Sequence, residues 1–255
     1  LKIASWNVNS IKVRIDHVLE WLDYAKPDVL GLQELKLPTE NFPHAALAEI
    51  GYSCLVNGQK TYNGVALLSR TEGVDPIMDL PGFDDPQRRV LAATYGDTRI
   101  INLYVPNGQT VGSDKYDYKI SWLEALHNWV AEEVAANPKL CVFGDFNIAP
   151  ADADVHDPQA WVGKILCSDA ERTALQGLLD LGLQDSFRLF DQPEESFSWW
   201  DYRMAGFRRN LGLRIDLILA SAPVAERATA AGIDKEPRAL ERPSDHAPVW
   251  LEFDP

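Results

Sequence analysis

Leu140-Cys141-Val142-Phe143-Gly144-Asp145-Phe146-Asn147 opens with four apolar residues and runs straight into a glycine, a carboxylate and an amide. A short apolar run bounded by a turn signal reads as a buried strand. On extended backbone Asp145 and Asn147 point the same way, because successive side chains alternate between faces. The other reading of Gly144–Asn147 is a turn in which Asp and Asn bond nearby backbone N–H groups.

The same pattern, an apolar strand ending in a polar residue, recurs outward along the chain. Upstream, Tyr118–Ala136 sets Ile120, Leu123, Leu126 or His127, Val130 and Val134 along one side of a long helix. Val90–Tyr95 and Arg99–Val105 precede it as strands, with turns at Gly96-Asp97 and Asn107-Gly108. Ser53–Asn57 and Val65–Ser69 flank another turn, Asn63-Gly64. At the N-terminus, Lys2–Asn7 is strand-like, and Ile15, Val18, Leu19 and Leu22 then take helical spacing. Ser10 and Asp16 suit the first turns of that helix and Pro27 ends it. Asp28–Gln33 is a strand with Glu34 at its end, and Phe42–Ile50 is a second helix stopped by Gly51. Downstream, Ala170–Leu181 is helical up to Gly182, and Phe197–Trp200, Ile215–Ser221 and Val249–Phe253 are the last strands. Many strands with a few long helices between them predict an α/β or α+β chain of two packed sheets with helices outside. No repeat or Pro/Gly/Ser-rich linker divides the 255 residues, so one domain over 1–255 is expected.

Polar residues stand where these strands end: Asn7, Glu34, Tyr104, Asp145, Asp216, and the segment before Val249. Loops at strand ends are the usual place for chemistry. In Ser244-Asp245-His246-Ala247-Pro248, a carboxylate beside an imidazole can supply a metal ligand and a phosphate-facing group. Its plainer reading is a surface turn fixed by Pro243 and Pro248. Asn7, Asn9 and Glu34 complete an oxygen-rich set. Without paired Cys or clustered His, such a set favours Mg²⁺, with Mn²⁺ able to substitute, over Zn²⁺. A site of that kind handles phosphate esters.

Composition narrows the class. With 46% hydrophobic and 24% charged residues the chain is globular, not disordered, collagen-like or coiled coil. No apolar run approaches the roughly 18 residues of a membrane span, and Leu1–Asn7 has no signal-peptide character. The three cysteines, Cys54, Cys141 and Cys167, are too scattered for a disulfide framework, so a reduced cytoplasmic setting is expected. The net charge of −14 argues against a protein that coats nucleic acid, since bulk affinity comes from neutralised phosphates. It leaves room for an enzyme that meets DNA through one basic face. Phe197–Arg214 has that character: four Arg against one Asp, interleaved with aromatics suited to stacking on a base or sugar. The alternative is a core aromatic strand followed by a solvated loop. Gln87-Arg88-Arg89 is a second, weaker basic group.

Taken in order, WNVNS (from Trp6), LQELK (Leu32), YNGVALLSR (Tyr62), QRR (Gln87), YVPNG (Tyr104), GDFNIAP (Gly144), FSWWDYR (Phe197), GLRIDLILAS (Gly212) and PSDHAPVW (Pro243) resemble the bacterial exonuclease III family of the endonuclease/exonuclease/phosphatase superfamily. The likeness runs from Lys2 to Phe253. GDFN and SDHAP are shared across the superfamily, whereas FSWWDYR to GLRID and the QELK form point to its DNA-repair branch.

The resemblance implies a four-layered DNase I-like sandwich of two mostly antiparallel sheets. It also implies Mg²⁺-dependent hydrolysis of DNA phosphodiesters: 3′→5′ exonuclease action, incision at abasic sites and removal of blocked 3′ ends. Glu34 then matches the principal metal ligand, helped by Asn7 and Asp245, with Asp145 and Asn147 as a second site if two ions bind. Asp145 matches the group that activates or positions water, Asn147 one that orients the nucleophile, and Tyr104 a phosphate contact. His246 matches the phosphate-facing histidine and Asp216 its carboxylate partner. The effective base is left among Asp145, a Tyr104 phenolate and a cation-activated water. Trp199 matches the aromatic that packs on an extruded abasic sugar. The other DNA-facing residues are expected to be Arg88, Asn107, Lys164, Arg203, Arg208 and Arg214, with Arg89 and Arg209 in the same patch. The expected partner is duplex DNA with abasic sites, nicks or 3′ ends, bound by a monomer.

Asn9 stands where some members have Asp, and Asn107 where Gln or Ser is common. The Lys164–Ser168 loop lies in a variable region bordering the DNA. These departures bear on the balance between abasic-site incision and 3′-end trimming, so a 3′-end specialist is the second reading. A superfamily phosphatase on a small or lipid phosphate would explain GDFN and SDHAP but not the Arg-rich aromatic loop. A non-catalytic binder would not need every polar position to keep a competent residue.

Overall fold

In the computed structural model, which describes residues 1–255, the chain begins with β1 (Lys2–Asn7), α1 (Ile11–Ala25), β2 (Val29–Gln33), α2 (His44–Glu49), β3 (Ser53–Asn57) and β4 (Val65–Ser69). It continues through β5 (Val74–Met78), β6 (Val90–Tyr95), β7 (Thr98–Tyr104), α3 (Asp114–Ala136) and β8 (Leu140–Asp145). Then come α4 (Pro158–Trp161), α5 (Asp169–Asp180), β9 (Leu183–Asp185), β10 (Trp199–Trp200), β11 (Gly212–Leu213) and β12 (Asp216–Ser221). The last elements are α6 (Ala222–Ala225), β13 (Ala228–Ile233) and β14 (Val249–Phe253).

Two six-stranded sheets result, ordered β13-β14-β1-β2-β4-β3 and β5-β6-β7-β8-β12-β9. Each is antiparallel except for one central pair, β1 with β2 and β7 with β8. Parallel neighbours need a crossover, and α1 and α3 supply it. The long helix starts at Asp114, ahead of its apolar pattern, because Ser113 caps it by accepting from the Tyr116 N–H at 3.2 Å. A reciprocal Ser168–Glu171 capping box starts α5.

The layers follow from which faces are apolar. Val18, Trp21 and Leu22 of α1 cover Ala4, Trp6, Leu30 and Leu32 on the outside of the first sheet. Trp122, Leu126 and Val130 of α3, with Leu175 and Leu178 of α5, cover Ile101, Val142 and Leu219 on the outside of the second. Between the sheets, Ile3, Val29, Leu67 and Leu251 meet Ile100, Phe143 and Ile218. A polar layer interrupts this core near the strand ends. Gln33 Nε2 donates to Asn102 Oδ1 (2.7 Å) and Ser5 Oγ (3.0 Å), while Asn102 Nδ2 donates to the carbonyls of Ala66 (2.8 Å) and Leu32 (3.1 Å). Here the sheets approach so closely that a Cβ on Gly31 would lie 2.2 Å from Phe143 Cε2. No helix is long and apolar enough to cross a membrane.

Four strands escape the hydrophobic pattern. β5 contains Pro76 and lies at a sheet edge, where a missing N–H is tolerated. β13 (ATAAGI) is an edge strand with no large β-branched residue before Ile233, and β9 and β11 are only three and two residues long.

Candidate active site

The two parallel pairs run the same way in their sheets, and their carboxyl ends bring the polar residues together. Asn7 closes β1, Glu34 follows β2, and Tyr104 and Asp145 close β7 and β8 as register partners. Asp216 opens β12 opposite Asp145, and Ser244–His246 lead into β14 beside β1. In doubly wound sheets, too, ligands sit at the carboxyl ends of parallel strands.

Asp145 is buried and fully engaged. Its Oδ1 accepts from the Asn147 N–H at 2.9 Å, and its Oδ2 accepts from Asn7 Nδ2 at 2.9 Å and lies 3.7 Å from His246 Nε2. The local Asp–backbone bond of the turn reading therefore exists, in a carboxylate that also meets Asn7 and His246. Asn147 departs from the extended backbone expected of it, with φ 48°. Its Oδ1 accepts from Asn107 Nδ2 at 3.1 Å and its Nδ2 donates to the Val105 carbonyl at 3.0 Å.

Opposite Asp145, His246 Nδ1 lies 2.9 Å from Asp216 Oδ2 and 3.1 Å from Oδ1. Burial alone would lower the imidazole's pKa, but the Asp216 and Asp145 carboxylates overcome it and raise the pKa to about 10. Asp145 is pushed up to about 7, chiefly by burial, with His246 pulling it back and Asp216 adding to the rise. Asp216 is held in turn by Ser198, whose Oγ lies 2.6 Å from Oδ2 and accepts from the N–H groups of Ile215 and Asp216. Burial and the facing Glu34 and Asp145 carboxylates hold the Tyr104 phenol well above its usual range. That favours the neutral phenol, a hydrogen-bond donor.

Glu34 Oε, Asp145 Oδ and a His246 ring nitrogen lie within 4.8 Å of one another. The two carboxylates are the hard oxygen donors of this group and could hold a divalent ion. Burial would push Glu34 up, yet Lys36 (2.9 Å) and the Asn7 amide hold it below the usual carboxylate range. Two of the expected ligands sit differently. Asn7 turns its NH₂ to Glu34 Oε1 and Asp145 Oδ2, both at 2.9 Å, while its Oδ1 accepts from the Asn9 N–H. In this arrangement its NH₂ bridges the two carboxylates. Asp245 lies outside the 4.8 Å group because Asn9 Nδ2 and Trp199 Nε1 each donate to it at 3.0 Å.

The expected DNA-facing residues divide. Asn107 is exposed in a cleft of about 670 Å³ beside Tyr104. Half-buried Trp199 walls a second cleft of about 350 Å³ with Trp161, Met204 and Arg203. Lys164, Arg203 and Arg208 are exposed, Arg203 paired with Asp201. Arg88 is half-buried and paired with Asp79; it is Arg89 that lies 4.7 Å over the Tyr104 ring. Arg214 is a correction: 1% exposed, it bonds Asp154 at 2.7 Å and Asp185 at 2.6 Å, so it faces the interior and no DNA. Charge counting cannot see that two of the chain's acids lie beneath that arginine. Sequence reasoning also passed over Ser198, Lys119 and Glu171. Lys119 and Glu171 did leave a signal, each being a charge on an apolar helical stripe, with Leu123 and Leu126 after one and Leu175 and Leu178 after the other.

Two α/β layers with carboxylates, a protonated histidine, an asparagine and a phenol at one rim define a hydrolase of phosphate esters. The chain belongs to the Endonuclease/Exonuclease/phosphatase family, whose sequence pattern matches residues 4–246, and to its exonuclease III branch. The exodeoxyribonuclease III of Haemophilus influenzae is 37% identical over 269 aligned positions, covering 99% of this chain and 100% of that protein. The solved 3′ phosphatase NExo from Neisseria, bound to a product DNA hairpin, superposes with a TM-score of 0.98 at 51% identity, over 100% of this chain and 99% of that one. An AP endonuclease from Archaeoglobus fulgidus superposes with a TM-score of 0.96 at 38% identity over 100% of both chains.

Proposed function

We propose that this exonuclease III-type enzyme is a DNA-repair nuclease that hydrolyses phosphodiesters at 3′ ends and abasic sites of duplex DNA, as a cytoplasmic, single-domain monomer using Mg²⁺. The observation that carries the reading is the convergence of Asp145, Asn147 and the Asp216–His246 pair on one rim, between a cleft walled by Tyr104 and one walled by Trp199. Glu34 and Asp145 would hold the cation. When bound, it polarises the scissile phosphoryl oxygen and offsets charge on the leaving oxygen.

The chain's own residues do the rest. Asp145, a buried carboxylate beside Asn7 and His246, is the group placed to take a proton from the attacking water in this reading. The Asn147 NH₂ carries two hydrogens; the Val105 carbonyl takes one, leaving the other for the water or a phosphoryl oxygen. His246, a cation held by Asp216, and the neutral Tyr104 phenol donate to the non-bridging oxygens as charge builds on them. Trp199 supplies a flat wall for the terminal or extruded sugar, and Lys164, Arg203, Arg208 and Arg209 supply the local positive charge that a chain of net −14 otherwise lacks.

One observation favours the 3′-end specialist. In the Lys164–Ser168 loop, Leu166 is buried at φ 72°, packed with Leu213 and Ile215 in the apolar cluster that Trp199 borders. In this reading its side chain leaves less room beside Trp199 for an extruded abasic sugar. The deciding assay offers one labelled duplex with an internal abasic analogue and a recessed 3′-phosphate, in Mg²⁺ or EDTA, with Asp145→Ala as control. Metal-dependent release at either position supports the nuclease reading, and their ratio places the enzyme between generalist and specialist. Turnover of an inositol phosphate with none of DNA would overturn it.

A further inference from the structure

Behind the site lies an ion pair that the reaction does not touch. The Lys119 and Glu171 side chains are both 0% exposed. Replacing a buried ion pair with apolar residues is often neutral or stabilising, so such a pair is weak evidence for stability and points elsewhere for its use. The bonds it makes indicate that use. Lys119 Nζ has three hydrogens: one goes to Glu171, one to the Asn147 carbonyl at 2.7 Å and one to the Asn107 carbonyl at 3.2 Å. No backbone N–H reaches either carbonyl. Glu171 accepts from Leu166 N–H at 3.1 Å, Ser168 N–H at 3.0 Å and Ser168 Oγ at 2.6 Å.

One buried amine thus ties down the backbone of two asparagines whose side chains meet at the rim, and its partner ties down the loop beneath Trp199. Asn147 needs that hold most. A left-handed backbone is an unfavourable conformation even for Asn, and surrounding contacts must over-determine it. We propose that Lys119, braced by Glu171, is the positioning residue for Asn147 and Asn107, setting the height of both amides against the reacting phosphate. It touches no substrate and acts through Asn147. This inference rests on the nuclease reading above.

The test uses the full chain and a duplex with a recessed 3′-phosphate. Lys119→Met should lower kcat by about 10- to 100-fold, the scale of a misplacement of about 1 Å, while KM moves by less than about threefold. Lys119→Arg, which keeps the charge and donors, should recover part of the loss. Lys119→Met/Asn147→Ala should be no slower than Asn147→Ala alone, because both remove one contribution. If Lys119→Met does not fold, Lys119→Met/Glu171→Leu leaves no unpaired buried charge and is read the same way. Wild-type kcat in Lys119→Met or in Lys119→Met/Glu171→Leu, or losses that multiply in Lys119→Met/Asn147→Ala, would overturn the proposal. A purely structural role would shift the melting temperature and leave the kcat-to-KM pattern and this non-additivity absent. Failure of the wild-type chain to act on either this substrate or a duplex with an abasic analogue would instead overturn the nuclease reading itself.

Discussion

His246 Nδ1 sits 2.9 Å from Asp216 Oδ2 while its Nε2 sits 3.7 Å from Asp145, so one buried imidazole lies between two carboxylates. The arrangement holds a proton in the folded state that the unfolded chain gives up. With its pKa raised from 6.5 to about 10, His246 contributes stability that is complete below about pH 6.5 and lost as pH rises through about 10. Asp145, raised from 3.8 to about 7, acts in the same direction over a lower window. In EDTA the melting temperature should therefore fall between pH 6.5 and 10, and Asp216→Asn should shrink the fall. Mg²⁺ should flatten the Asp145 part by favouring the ionised carboxylate. A melting temperature independent of pH in EDTA would contradict the protonated imidazole.

Asp145→Asn keeps an acceptor for the Asn147 N–H and removes the base. The expected outcome is a folded protein whose kcat falls by about 10²- to 10⁴-fold, the range for losing a general base. Single-turnover rates at saturating enzyme separate this from weakened binding. Retention of more than about a tenth of wild-type kcat would reassign the base.

The sandwich was legible because its central strands alternate or run apolar between turn signals, and because α1 and α5 carry clear helical stripes. Of the strands that stayed hidden, β5, β9 and β13 lie at edges where little side-chain burial is required and pattern carries little information, and β11 is only two residues long. The candidate site left a related signal: its residues stand at strand ends, so an apolar run followed by a polar residue marks each one. What the chain order could not disclose is pairing across the fold. Arg208 and Arg214 look alike in sequence, yet Asp154 and Asp185 lie under one of them only. Lys119 looks like a solvated helix residue until its place on the Tyr116–Leu123 stripe is noticed.

That difference between arginines is measurable. Arg208→Ala/Arg209→Ala removes exposed cations, so DNA affinity should drop and the slope of log K against log salt should become shallower by up to about 0.9 per lost phosphate contact. Stability should be unchanged. Arg214→Ala should instead leave Asp185 without its partner and buried Asp154 with Arg188 alone, and cost up to about 3–5 kcal/mol in denaturant unfolding while leaving the salt slope of the folded fraction alone. A shallower slope from Arg214→Ala with no loss of stability would return that residue to the DNA face.

Leu166 offers the sharpest test of substrate preference. At φ 72° a leucine carries strain of about 1–2 kcal/mol that glycine does not. Leu166→Gly relieves that strain but removes a side chain packed among Leu213, Ile215 and Cys167, a loss of about 2–5 kcal/mol. A modest net destabilisation is therefore expected. The opened space adjoins Trp199, so abasic-site incision should rise relative to 3′-phosphate release by about tenfold, the equivalent of about 1.4 kcal/mol between the two transition states. Leu166→Ala opens part of the same space and keeps the strain, so it should move the ratio less. Adding Trp199→Ala to Leu166→Gly should take the gain away, because the extruded sugar would lose its remaining wall. An unchanged ratio in Leu166→Gly, with the protein folded and 3′-phosphate release intact, would mean that the sugar enters elsewhere and that this loop does not set the preference.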